Sequence, residues 1–355
     1  MSSALCTNNL PDEGLVLGIE TSCDETSAAV VANGRTILSS VIASQIPVHL
    51  LYGGVVPEIA SRHHLEQVTL VIEQAMQQAG VGLSDLSGIA VTSGPGLVGA
   101  LLVGVSAAKG LAYATGLPLV GVNHIAGHLF ANRLMPNDIA WPALVLVVSG
   151  GHTELVLWES EHQLVRLGGS RDDAAGEALD KFARVLGLDY PGGPAIEKTA
   201  KGGNIHYFPL PAPAFEGQLD FSFSGLKTAA INAVHKLRQN GKDVDVRDAA
   251  ATFQHAVVAH LRSKTQLALS QVHVRSLLLA GGVAANSLLR TEMAEVATAH
   301  GLILSIPDIW LCTDNAAMIA AAGYTRLQQG KRAKLTLNAY PALKLMDEVP
   351  DHTGV

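Results

Sequence analysis

The chain has 355 residues, of which 48% are apolar, only 15% charged and 5% aromatic, with 35 glycines and a formal net charge of −7. A single core stops growing near ~250–300 residues, so two domains are expected, and the apolar share excludes a disordered tail protein or a coiled coil. The negative net charge excludes capture of nucleic acid by a global positive field and leaves any RNA contact to a local patch or a partner.

Three cysteines, Cys6, Cys23 and Cys312, lie far apart with no CxxC pair, which suits a reducing, cytoplasmic setting. Met1 to Gly14 is polar and has no basic residue before an apolar run, so no signal peptide is expected. A long charge-free stretch, Leu86 to Ala108, is split at Ser93-Gly94-Pro95-Gly96, and what remains on either side is too short to span a bilayer.

Leu15 to Glu20 reads as a buried strand, Thr21 to Glu25 as a polar turn, and Thr26 to Ala32 as its hairpin partner. A helix is expected from Ile59 to Ala79, entered after Pro57 and stopped by Gly80. The strand Ile89 to Thr92 leads into a small-residue helix from Leu97 to Tyr113, and Met135 to Asp138 with Pro142 reads as a hinge. Strand, small turn, strand then returns at Ala143 to Val148, Ser149 to Thr153 and Glu154 to Trp158. Two such hairpins ~125 residues apart suggest two related α/β halves. Further on come a helix at Ala174 to Leu186, a loop at Pro209 to Pro213, a long helix at Val246 to Leu269, a strand at Ser276 to Ala280 and a helix from about Ala285. The last helix starts near Asp314 and ends before Gly330, and the tail after Pro341 is expected to be weakly ordered.

His124-Ile125-Ala126-Gly127-His128 puts two imidazoles at i and i+4, one face of a helix. That spacing suits one divalent metal; an ordinary solvated face is the bland alternative. Asp314 at the start of the last helix is either an N-cap or a third ligand. Two histidines and a carboxylate with open positions suit iron(II) or zinc.

Ser149-Gly150-Gly151 can aim backbone N–H groups at an anion, and Asn286 either faces an adenine or caps a helix. Asp180 either pairs with Arg184 at i+4 or accepts from ribose hydroxyls. Asp24 and Glu25 either orient substrate and act as general base or are plain turn residues.

These segments match one family. Gly18 to Thr26, Gly53 to Glu58 with Ala60-Ser61-Arg62, Asn123 to His128, Ser149 to Thr153, Tyr190 to Pro194, Phe221 to Lys227 and Gly281 to Asn286 together resemble the bacterial tRNA threonylcarbamoyladenosine synthesis transferases. That is the TsaD family, once called O-sialoglycoprotein endopeptidase. The resemblance runs from Leu15 to Leu343. It implies an α/β, actin-like ATPase fold of the sugar kinase and Hsp70 kind, with two duplicated halves around a nucleotide cleft. The expected divisions are 15–140, 141–313, and a final helix, 314–330, returning to the first half.

The implied reaction moves threonylcarbamoyl from threonylcarbamoyl-AMP to N6 of the adenosine just 3′ of the anticodon, in tRNAs reading ANN codons. The resemblance assigns His124, His128 and Asp314 to one metal, usually iron. It assigns Val147, Val148, Ser149, Gly150 and Gly151 to the acyl-adenylate, Asp180 and Gly193 to its ribose, and Asn286 to the adenosine. Asp24 and Glu25 also match and are the candidate catalytic carboxylates.

Implied partners are tRNA, a smaller actin-like paralogue, a P-loop ATPase and a separate enzyme making the adenylate, with no membrane or DNA. Basic candidates for tRNA are Lys227, Lys236, Arg238, Lys242, Arg326, Lys331, Arg332 and Lys334. The rivals are an actin-like kinase and a nucleotide-sensing scaffold. The old peptidase name is opposed by Ile125, which stands where a zinc protease helix H-E-x-x-H needs glutamate.

Overall fold

The computed structural model describes residues 14–211, 217–347 and 349. Cys6, the N-terminal stretch through residue 13, and the end of the 209–213 loop lie outside them.

Strands β1 (Leu15–Glu20), β2 (Glu25–Ala32) and β3 (Thr36–Ser44) form an antiparallel meander. Beyond β1, β4 (Gly88–Gly94) and β5 (Leu119–Asn123) add in parallel, giving the order β3-β2-β1-β4-β5. The pattern then repeats. Strands β6 (Ala143–Val148), β7 (Thr153–Ser160) and β8 (Gln163–Gly169) are antiparallel neighbours, and β9 (Ser276–Ala280) and β10 (Ile303–Ser305) lie parallel beyond β6. Every residue of β4, β5, β6 and β9 is buried, which explains their continuous apolar runs.

The helices of the first region are α1 (Ile46–His49), α2 (Pro57–Ala79), α3 (Val98–Thr115) and α4 (His124–Phe130). The later ones are α5 (Ala175–Leu186), α6 (Gly192–Ala200), α7 (Ser224–Gln239), α8 (Val246–Leu269), α9 (Ser287–Ala299), α10 (Ile309–Cys312) and α11 (Ala316–Gln328). Two compact units result. One comprises residues 1–45, 55–137 and 314–355; the other comprises 46–54 and 138–313. The chain passes between units at Asn137 and Asp138, inside the expected hinge. The short stretch 46–54 groups with the second unit, where the Arg184 guanidinium donates to Gly53 O at 2.6 Å.

Helix punctuation follows the sequence closely. Pro57 opens α2, and Gly80, Gly116 and Gly187 end α2, α3 and α5 in left-handed conformations. By length and composition α3 could cross a membrane, and a third of it is buried here. Inside the first unit it packs on β4 and α2, and Thr21 Oγ1 donates to Ala100 O at 2.9 Å.

The tail after Pro341 departs from expectation. Leu343, Leu345 and Val349 are buried, Tyr340 N donates to Ser93 O at 2.7 Å, and Asn123 Nδ2 donates to Lys344 O at 3.0 Å. The apolar side chains of Leu337, Leu343 and Val349 complete the core of the first unit, so the described part of the segment is fixed by burial; residues 348 and 350–355 lie outside the described residues. Their wide spacing hides this in the sequence.

Helix α11 closes the same unit against β1. A Cβ on Gly18 would run into Ala316 O and come within 2.8 Å of Ala320 N, both backbone atoms that cannot move aside. Gly18→Ala is therefore expected to destabilise the protein by about 1–3 kcal/mol through overpacking, read as a lower midpoint in urea unfolding.

Candidate metal centre and anion loop

Asn123 ends β5 and caps α4, its Oδ1 accepting from Ile125 N at 2.9 Å and Ala126 N at 3.2 Å. The cap fixes the first turn of α4, so His124 and His128 stack one turn apart with ring centroids at 4.7 Å. Asp314 is not the N-cap of α11. That role belongs to Asn315, whose Oδ1 accepts from Met318 N at 3.0 Å. The Asp314 carboxylate is released to face the histidines, its Oδ1 lying 3.5 Å from His124 Nε2 and 3.3 Å from His128 Nε2. One ligand atom from each of the three residues lies within 4.8 Å of the other two.

The histidines are 8% and 1% exposed. Both ring nitrogens of His128 are buried; Nδ1 has no hydrogen-bond partner among the described residues, and Nε2 faces only the Asp314 carboxylate, 3.3 Å away. A buried polar atom of this kind wants a partner, and a divalent cation held by two imidazoles and a carboxylate supplies one, so the residues fit a single metal.

Burial works against a charged His124, but the Asp314 and Glu20 carboxylates outweigh it and push the imidazole up to about 9. Burial holds the His128 imidazole below its ordinary value. Glu20 is fully buried, which raises it, yet the charge and hydrogen bond of His124 and the Thr92 hydroxyl hold it below the usual carboxylate range. Burial pushes Glu25 up to about 8, with Asp24 and Asp314 adding to the shift and the Ser44 hydroxyl opposing it. Burial and the Asp24 carboxylate likewise raise the neighbouring Cys23 thiol.

In the second unit, Ser149-Gly150-Gly151-His152 forms the turn between β6 and β7. Ser149 N donates to His152 O at 2.8 Å and His152 N to Ser149 Oγ at 3.1 Å. Gly150 and Gly151 are exposed, and a Cβ on either would meet nothing. Neither packing nor a positive φ asks for glycine there, and the space above the turn is open among the described residues. Gly281 differs: its φ is 89° and a Cβ would press on Val148 O at 2.5 Å, so it serves the fold. Val147 and Val148 are wholly buried within β6 and carry the turn.

Asp180 Oδ1 accepts from Gly192 N at 2.7 Å and Gly193 N at 3.2 Å, holding the first turn of α6. Asn286 caps α9, its Oδ1 accepting from Leu289 N at 3.0 Å. Of the basic candidates, Lys227 is paired with Asp173, Arg238 donates to Val185 O, and Arg332 donates to Leu327 O and Lys331 O. Lys236 and Lys242 are exposed.

Three functional neighbours carry no role in the sequence reading. Glu20 lies behind His124. His64 of α2 is fully buried between Thr26 Oγ1 at 2.7 Å and Cys23 O at 2.8 Å, gripping the turn that carries Asp24. Glu197 of α6 accepts from Ser287 N at 2.9 Å beside Asn286. An isolated carboxylate or histidine gives no spacing signal; only the fold shows what it meets.

The doubled sheet order, three antiparallel strands then two parallel ones, makes this an actin-like ATPase-fold protein of the sugar kinase type. Its likeness to solved structures agrees. HypF from T. kodakarensis superposes with a TM-score of 0.61 at 16% identity, over 89% of this chain and 48% of that one. Component A of the (R)-2-hydroxyglutaryl-CoA dehydratase of Acidaminococcus fermentans gives 0.53 at 14% identity, over 88% and 99%.

Sequence comparison is narrower. The model of the TsaD family, tRNA N6-adenosine threonylcarbamoyltransferase, matches residues 36–321. Proteins of that name from Geobacillus kaustophilus and Bacillus subtilis are 59% and 56% identical, each over 93% of this chain and over 97% and 95% of their own lengths. The chain belongs to the TsaD family and is a tRNA-modifying transferase.

A carboxyl with a raised folded pKa binds more protons folded than unfolded, so its contribution to stability falls as pH rises. For Glu25 that window runs from its ordinary value of 4.5 to about 8. Glu25→Gln is expected to stabilise the protein relative to wild type by an amount that grows with pH across that window and then levels, read from chemical denaturation at a series of pH values.

Proposed function

We propose that the chain moves threonylcarbamoyl from threonylcarbamoyl-AMP to N6 of the adenosine 3′ of the anticodon in tRNAs reading ANN codons. The observation that carries this reading is the convergence of His124, His128 and Asp314 in the first unit. His124, His128 and Asp314 hold one divalent cation, iron(II) in preference to zinc. When bound, it supplies Lewis acidity toward donor oxygens without redox chemistry.

The donor is a mixed carbamic–phosphoric anhydride with a good leaving group. The difficulty lies with the nucleophile, because the lone pair of the adenine amine is delocalised into the ring. Alignment then dominates and can contribute ~7 kcal/mol or more. The backbone N–H groups of Ser149 to Gly151 hold the phosphate or offset developing charge on oxygen. Asp180 keeps the Gly193 segment in place for the ribose, and Asn286, its amide held between Leu289 N and Glu197 Oε2, borders the adenosine. The N6–carbamoyl bond forms, the carbamoyl–phosphate bond breaks, AMP departs, and the N6 proton passes to Glu25 with Asp24 beside it. A carboxyl near 8 is poised to take and return a proton at neutral pH. The target base must leave its stack to react.

The tRNA meets an acidic protein, so partners share the RNA surface: a smaller actin-like paralogue and a P-loop ATPase, in the cytoplasm. The exposed Leu65, Leu70, Leu102 and Tyr113 on α2 and α3 offer apolar area for such a contact. The kinase and scaffold readings leave the buried imidazole pair unexplained.

The test combines purified chain and partners, threonylcarbamoyl-AMP and unmodified tRNA, followed by nucleoside analysis. His124→Ala is expected to abolish transfer, and Glu25→Gln to slow single-turnover transfer about 10²–10⁴-fold. Phosphorylation of a sugar, or transfer unchanged by His124→Ala, would replace this reading. Metal binding must also displace the His124 proton, so affinity for a divalent cation should rise about tenfold per pH unit from 7 toward 9 and then level, measured by chelator competition.

A further inference from the structure

Behind the ligand trio, in the same unit, stands a carboxylate that no ligand role uses. Glu20 ends β1 and is 0% exposed. Its Oε2 lies 2.9 Å from His124 Nδ1 and accepts from Thr92 Oγ1 at 2.6 Å, and its Oε1 accepts from Ser22 N at 2.5 Å. Ser22 Oγ stands 3.1 Å from the same ring nitrogen. An ionised carboxylate cannot donate, so His124 Nδ1 carries the hydrogen. In the neutral ring Nε2 then bears the lone pair, and it is Nε2 that faces Asp314 at 3.5 Å. The second imidazole differs, because His128 Nδ1 is buried with no hydrogen-bond partner among the described residues.

Resting on the metal reading above, we propose that Glu20 is a positioning residue of the centre. It holds His124 Nδ1–H and keeps the Nε2 lone pair facing Asp314 as the coordinating atom, so that metal retention depends on a residue that is not a ligand. Outer-shell carboxylates behind ligating histidines act in this way generally.

The experiment uses the full chain and zinc(II) alone as a diamagnetic probe, with affinity measured by chelator competition and folding checked by circular dichroism. Glu20→Gln is expected to weaken zinc binding about 10–100-fold, while Ser22→Ala, which removes the other neighbour of Nδ1, leaves it within about threefold. A folded Glu20→Gln protein with wild-type zinc affinity overturns the proposal, as does a larger loss from Ser22→Ala. A buried carboxylate serving only the fold would lower stability and leave zinc affinity alone. A second readout needs no variant: ¹⁵N-histidine NMR of zinc-loaded wild type should show His124 coordinated through Nε2 with Nδ1 protonated, and coordination through Nδ1 refutes the role. Wild-type protein that takes up no zinc overturns the metal reading itself, an outcome distinct from a Glu20 variant that binds normally.

Discussion

Ionisable side chains gathered where water is scarce set the terms for the first unit. Glu20, His124, His128 and Asp314 come from a strand end, one short helix and the segment before the last helix, and each is tolerable only because of the others. A lone buried carboxylate or imidazolium would neutralise itself by shifting its pKa. Together they form a hydrogen-bonded group of carboxylates and imidazoles that a cation can complete. The precise capping around them follows from this need. Asn123 and Asn315 each satisfy a helix start, which frees His124 and Asp314 for one another.

The duplicated topology explains why two kinds of chemistry sit at matching addresses. The turn between the first two strands of each unit lies at the end of a buried central strand. In the first unit that turn follows Glu20 and leads to Asp24 and Glu25; in the second it is Ser149 to His152. One copy of the turn is acidic and clamped from behind by His64. The other is glycine-rich with open space above it. The same backbone feature carries carboxylates in one repeat and glycines in the other.

Much of this was legible in the chain before folding was considered. Continuous apolar runs marked the central strands because both faces are buried, and proline and glycine marked the ends of α2 and α5 because their backbone preferences are local. The i, i+4 histidines were readable for the same reason. Local signals failed where partners are distant. Asp314 was ambiguous between cap and ligand until its neighbour Asn315 was found to cap. Asp180 reads as a partner of Arg184 or of a ribose, and in the structure it accepts from the backbone amides of Gly192 and Gly193. Glu20 reads only as the end of a strand, since no spacing rule links it to a histidine on another element. The tail after Pro341 reads as loose because its few apolar residues are scattered, yet Leu343 and Val349 join the core and Leu345 is buried.

The order in which the polymer is made has a consequence of its own. The imidazole pair is synthesised early, but the carboxylate that completes the trio, and the helix that seals β1, are translated only after the whole of the second unit. A nascent chain therefore carries an unfinished first module while about half of its residues are added, and a product that stops before Asp314 lacks the carboxylate of the trio.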